Sequence, residues 1–141
     1  MKTEAKKNKK MEKEIEKLIG KLTLAEKISM IHGAGLFRTG AVERLGIPCV
    51  VSSDGPMGVR AEFMNERWIP SGNNDDMVSY LPSNSALAST WNPYRAYEMG
   101  HVLGAEARGR GKDVILAPGI NIKRGPLCGR NFEYMSEDPK L

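Results

Sequence analysis

Side chains able to do chemistry gather in three short stretches of this chain. The first is Ser52-Ser-Asp-Gly-Pro-Met-Gly-Val-Arg60 and the second is Leu81-Pro-Ser-Asn-Ser-Ala86. The third holds Asn121, Lys123, Arg124, Arg130, Asn131, Glu133, Glu137 and Asp138. Carboxylates accept hydrogen bonds, and an arginine fork donates to two oxygens with fixed geometry. The three stretches can therefore bind a polar ligand. Each candidate also has a plainer reading. Asp54 in Asp-Gly-Pro is a good turn former. Arg60 suits an internal salt bridge, and Arg130 suits a pair with Glu133, Glu137 or Asp138. Lys123 and Arg124 read as structural or surface groups. Trp91 reads as core, and His101 reads as a packed mid-helix histidine.

Other chemistries are excluded by spacing. Cys49 and Cys128 form no CxxC pair, and His32 and His101 complete no zinc pattern. Both thiols are expected to be free and buried. Gly33-Ala-Gly-Leu-Phe-Arg-Thr-Gly40 is not GxGxxG, and no strand precedes it. Gly109-Arg-Gly-Lys112 is no P-loop, because Glu106 replaces its first glycine and Asp113 stands where Ser or Thr should be. No cofactor is expected. The net charge of +4 sits in the first 21 residues, with eight lysines against four glutamates. The remaining 120 residues balance at 13 basic and 13 acidic side chains. That tail has neither arginine clusters nor interleaved aromatics, so nucleic acid is not the expected partner. No apolar run approaches the ~20 residues of a membrane helix, and no signal sequence is visible. A cytoplasmic location is the resulting expectation.

The elements that must position these groups alternate between helix and strand. Residues 1–10 read as disordered. Met11, Ile15, Leu18, Ile19 and Leu22 then follow helical spacing. Thr23-Leu-Ala-Glu26 is a capping box opening a second short helix, with Leu24, Ile28 and Ile31 inward and Gly33 as its C-cap. A short helical stretch, Val42 to Leu45, ends at Gly46. Ile47 to Val51 reads as a strand buried on both faces, followed by a turn at Ser52-Ser-Asp-Gly-Pro. Residues 62–77 are irregular, with Val78 to Leu81 as a second short strand. Asn92-Pro93 opens a helix to about Arg108. Two rows are expected inward on it, Tyr94, Tyr97, His101, Ala105 and Ala96, Met99, Leu103, Ala107. Gly100 and Gly104 would admit a close neighbour. Val114 to Ala117 is the third strand, and a long loop follows. The whole is an α/β pattern with a parallel sheet.

Three stretches are recognisable as they stand: DGPMGVR, LPSNSALASTWN, and GAEARGRGKDVILAPGINIKRGPLCGRNFEYMSEDPKL. Over roughly Leu22 to Leu141 they resemble the N-terminal barrel of family 3 glycoside hydrolases, in the family's order and spacing. The resemblance implies the following. Residues 22–141 form part of a (β/α)8 TIM-type barrel, about its first three strands, preceded by a basic tail and amphipathic helix over residues 1–21. The intact protein is a retaining hydrolase of β-glucosides or related oligosaccharides, working by double displacement without metal or organic cofactor. Asp54 binds sugar hydroxyls in subsite −1, with Arg60 and Arg130 beside it; a carboxylate can accept from two vicinal hydroxyls. Trp68 could form a sugar-stacking platform. Retaining hydrolysis needs two carboxyl groups about 5–5.5 Å apart. The family's nucleophile is an aspartate on a later strand, and its acid/base usually comes from a following domain. No catalytic residue is therefore expected in these 141 residues. Glu133, Glu137 and Asp138 match structural positions of the family. The chain's partner would be the remainder of the barrel and a second domain. The other reading is a non-catalytic sugar-binding fragment or half of a split enzyme. With ~250 residues in a full barrel, an open parallel piece is expected to be marginal or insoluble alone.

Overall fold

The computed structural model describes residues 2–64, 67, 69, 71–72 and 77–140. The chain divides into two compact units, Met1–Cys49 and Val50–Leu141. Trp68 and residues 73–76, with their expected platform and loop, lie outside the described residues.

The first unit opens with α1, Lys2–Lys21. Helix therefore extends through the stretch expected to be disordered, as its run of Lys, Glu and Ala allows. Met11, Ile15, Leu18 and Ile19 lie exposed along it. Helix α2, Leu24–Met30, begins as anticipated. Thr23 accepts from the Glu26 amide, and Glu26 accepts in return from the Thr23 backbone N–H at 2.8 Å. Arg44 ties this box to the following turn, its Nε donating to Glu26 at 2.6 Å and its fork reaching the Lys21 carbonyl at 2.8 Å. The Arg44 hydrogen bond, helped by Thr23, pulls the Glu26 carboxyl down to about 2. Two further expectations fail in this unit. Leu24, Ile28 and Ile31 are exposed, and the C-cap is Ile31 rather than Gly33. A single turn of 3-10 helix, Glu43–Leu45, ends at Gly46 as the sequence suggests.

In the second unit, strand β1 is Ser52–Asp54 and strand β2 is Val114–Leu116. They pair in parallel, with Ser52, Ser53 and Asp54 opposite Val114, Ile115 and Leu116. Helices α3, Asn84–Ala88, and α4, Pro93–Gly109, lie between them in sequence, which is the expected α/β connection. The strand falls later than the apolar run 47–51 predicts. Pro48 carries no N–H for a ladder, Ile47 exchanges its hydrogen bonds with Val42, and the Val51 amide is taken by the Asp113 carboxylate at 3.0 Å. Val78 to Leu81 forms no strand. The Ser79 amide donates to Glu106 and the Leu81 amide to the Met57 carbonyl at 2.8 Å, so its donors are already engaged.

Helix α4 starts where predicted, Asn92 accepting from the Tyr94 amide at 3.0 Å with Pro93 behind it. Only one of its two expected rows turns inward. Leu103 and Ala107 are buried with Val59, against Val78, Leu81, Ile115 and Ala117. The Tyr94, Tyr97, His101, Ala105 row is exposed, Ala96 is exposed, and nothing approaches Gly100 or Gly104. Trp91 is 75% exposed rather than core. Val114 and Leu116 are exposed with Ile115 half-buried, so β2 is covered on one face, not two. Neither cysteine is fully buried: Cys49 is half-buried and Cys128 exposed, both free. Polar ties fasten the loop after β1 to the end of α4: Lys112 to Glu62 at 2.7 Å and Arg110 to the Met77 carbonyl at 2.6 Å.

Candidate functional site

Because β1 and β2 run in parallel, Asp54 and the chain after Leu116 leave the sheet at the same end. Ligands of parallel α/β folds bind beyond the carboxyl ends of the strands. An open cleft of about 640 Å³ lies there. Asp54 and Pro56 line it from the first strand, Pro118, Gly119 and Asn121 from the second, and Arg130, Glu133 and Tyr134 from the loop that returns across it.

Asp54 owes its place to a turn that only glycine permits. Gly55 and Gly58 have φ of 155° and 135°. A Cβ on Gly55 would fall on the Gly58 carbonyl oxygen, and one on Gly58 would fall on the Ser79 carbonyl. The turn closes with the Arg60 amide donating to the Asp54 carbonyl at 3.0 Å. This brings the Arg60 guanidinium, largely covered, to 3.5 Å from the Asp54 carboxylate, which stays half-exposed to the cleft. Arg60 also stacks over the Phe63 ring, 4.5 Å from its centre, and donates to the Ala61 carbonyl. Asp54 is thus both turn residue and cleft carboxylate, and Arg60 is its ion-pair partner.

Arg130 reaches the cleft from the other side. Its Nε hydrogen-bonds the Glu133 carboxylate, and its guanidinium stands 6.0 Å from the Tyr134 ring centre. The side chain is 70% exposed while that of Glu133 is almost wholly covered. The hydrogen bond to Glu133, with its charge, raises the Arg130 guanidinium further above its already high value. A short 3-10 turn, Asn131–Glu133, sets the three-residue spacing of this pair. The turn is held from beneath. Asn84, fully buried at the start of α3, donates to the Glu133 carbonyl at 2.7 Å, and Ser85 donates to the Tyr134 carbonyl at 2.8 Å. Gly119 bridges to Tyr134, and a Cβ there would stand 2.5 Å from the Glu133 oxygen. Lys123 donates to Ser85, which makes it the structural residue expected, and Arg124 is exposed. The Asn84 Oδ1 is buried with no hydrogen-bond partner among the described residues. An orphan acceptor of this kind costs about 1–3 kcal/mol.

Two of the three predicted residues, Asp54 and Arg130, therefore line one cleft, and the third, Arg60, is paired with the first. His101 lies exposed on α4, in the row of Tyr94 and Tyr97. Glu137 and Asp138 do not line the cleft. Asn121, one of the polar residues of the third stretch, lines it as well, and so does Tyr134, which the sequence reading did not single out. The one signal for Tyr134 was its place directly after Glu133.

The family model for the glycosyl hydrolase family 3 N terminal domain matches residues 2–141. The chain belongs to this family. Among curated relatives, β-glucosidase BoGH3A of Bacteroides ovatus is 44% identical over 93% of this chain and 18% of its own length. Thermostable β-glucosidase B of Acetivibrio thermocellus is 42% identical over 91% of this chain and 17% of its own. The solved structure of β-glucosidase 3B from Thermotoga neapolitana, in complex with α-D-glucose, superposes with a TM-score of 0.77 at 37% identity. That match covers 90% of this chain and 19% of the other. The family 3 chain described here thus spans less than a fifth of the length of each of these relatives.

Proposed function

We propose that this chain contributes part of the sugar subsite of a β-glucosidase-like family 3 hydrolase and supplies none of its catalytic carboxyls. On this reading residues 22–141 are the opening of a (β/α)8 barrel, with residues 1–21 preceding it. The observation that carries it is the meeting of Asp54 and Arg130 in one cleft at the carboxyl ends of two parallel strands. A carboxylate accepts from two vicinal hydroxyls, and the Arg60 guanidinium stands beside this one at 3.5 Å. Arg130, held by Glu133, presents its remaining N–H groups toward the same space. The ligand is the non-reducing-end sugar of a β-glucoside. The nucleophile and acid/base of a double displacement come from chain beyond these residues.

A chimera tests this. Residues 22–141 replace the matching segment of the Acetivibrio thermocellus enzyme, and hydrolysis of p-nitrophenyl β-D-glucoside is followed. The chimera is expected to turn over. Asp54→Asn in it is expected to lower kcat/KM by about 10²-fold or more, since a hydrogen bond to a charged group is worth about 1.5–3 kcal/mol and two are weakened. An active chimera indifferent to Asp54→Asn overturns the proposal.

A further inference from the structure

We infer that Asn84 and Ser85, at the start of α3, are positioning residues that place Arg130 in the cleft through the backbone of Glu133 and Tyr134. The functional weight of this device rests on the sugar-site reading above. Arg130 is itself mostly exposed, and its guanidinium is located by Glu133 and the Tyr134 ring. Where those two residues stand is set by their carbonyls, and α3 grips both. Asn84 Nδ2 donates to the Glu133 oxygen at 2.7 Å and Ser85 Oγ to the Tyr134 oxygen at 2.8 Å. Gly119 adjoins the same carbonyl, where a Cβ would stand 2.5 Å from the Glu133 oxygen.

Packing alone does not account for Asn84. It lines a largely apolar pocket together with Leu87, Met99, Leu103 and Ile115. The amide is present with Oδ1 buried and unpartnered among the described residues. The fold thus accepts an unsatisfied acceptor at this position, and what it obtains is a donor aimed at the Glu133 carbonyl. Ser83 caps α3 by accepting from the Ala86 amide, which holds Asn84 and Ser85 at the first turn facing the loop. Lys123 donates to the Ser85 hydroxyl, leaving that hydroxyl's own proton for Tyr134.

The test uses the chimera with the Acetivibrio thermocellus enzyme in two readouts, hydrogen exchange of the Arg130 Nε–H by NMR and titration with glucose. Asn84→Leu is expected to speed the Nε–H exchange by about 2- to 10-fold, the range for losing one hydrogen bond. Ser85→Ala, which removes only a hydroxyl, is expected to move it in the same direction, so the inference stays testable should Asn84→Leu not fold. Leu103→Ala controls for general loosening and is expected to leave the Arg130 signal in place. Unchanged Arg130 exchange in folded Asn84→Leu and Ser85→Ala overturns the positioning role. Weaker glucose binding in step with faster exchange supports it. Should Arg130→Ala leave glucose binding untouched while the exchange effects persist, the sugar-site reading fails and the positioning role stands.

Discussion

Arg130 and Glu133 form an uneven pair, one side chain largely in solvent and the other almost wholly covered. A surface ion pair is worth little because water screens it, but Glu133 is desolvated and loses a partner if Arg130 leaves. Glu133→Gln is therefore expected to cost about 1 kcal/mol, below the full value of a charged hydrogen bond because Arg130 is exposed. A shift in the urea midpoint at constant slope measures it. Asp54 and Arg60 differ in kind, since the arginine is covered and the carboxylate faces the cleft. This division of labour was half legible. Asp-Gly-Pro announces a turn from residue type alone, but nothing local says that the turn's carboxylate would share a cleft with Arg130. Trp91 and His101 show the opposite error. Both are residue types that are often packed, and both are exposed: Trp91 lies between α3 and α4, and the face of α4 that is buried is the one carrying Leu103 and Ala107.

Helix α2 depends on Thr23, Glu26 and Arg44 acting together. The Glu26 carboxyl is held at about 2, below its usual 4.5. A depressed carboxyl pKa contributes stability above the unfolded value, and that contribution is lost as pH falls through the folded value. Helicity of this segment is thus expected to be full above about pH 4.5 and to decline toward pH 2. Circular dichroism of the chain against Glu26→Gln reads it, and an unchanged pH profile in that variant would contradict the role given to Glu26. The turn after β1 offers a steric counterpart. Gly55→Ala puts a methyl on the Gly58 carbonyl and is expected to destabilise by about 1–3 kcal/mol, read as a lower melting temperature. Helix starts were legible at this scale because a cap is a contact across three residues. The strand was displaced because hydrogen-bonding partners, not apolar content, decide where a ladder begins: Pro48 has no donor, and Asp113 captures Val51.

Across the molecule, many large apolar side chains remain open, among them Ile31, Leu116, Ile120 and Leu127. The core of the second unit is correspondingly small, centred on Val59, Leu103 and Ala107. Contiguous exposed apolar surface favours association. The isolated chain is expected to self-associate as its concentration rises, so sedimentation velocity should show growing s-values; a concentration-independent monomer contradicts this. Among the described residues two strands pair where about three were expected, and β2 is covered on one face only. The local grammar of this protein lay in the sequence itself: the capping box at Thr23, the Asn92-Pro93 helix start, the Asp-Gly-Pro turn and the family motifs. Each depends on interactions within a few residues or on residue types in fixed order. Tertiary structure alone decided that β1 runs alongside β2, that one row of α4 is buried and the other bare, and that Asn84 reaches Glu133 across 49 residues. Such pairings depend on which backbone donors and apolar faces remain unsatisfied once the local elements have formed, a property of the packed chain that no single stretch of sequence carries.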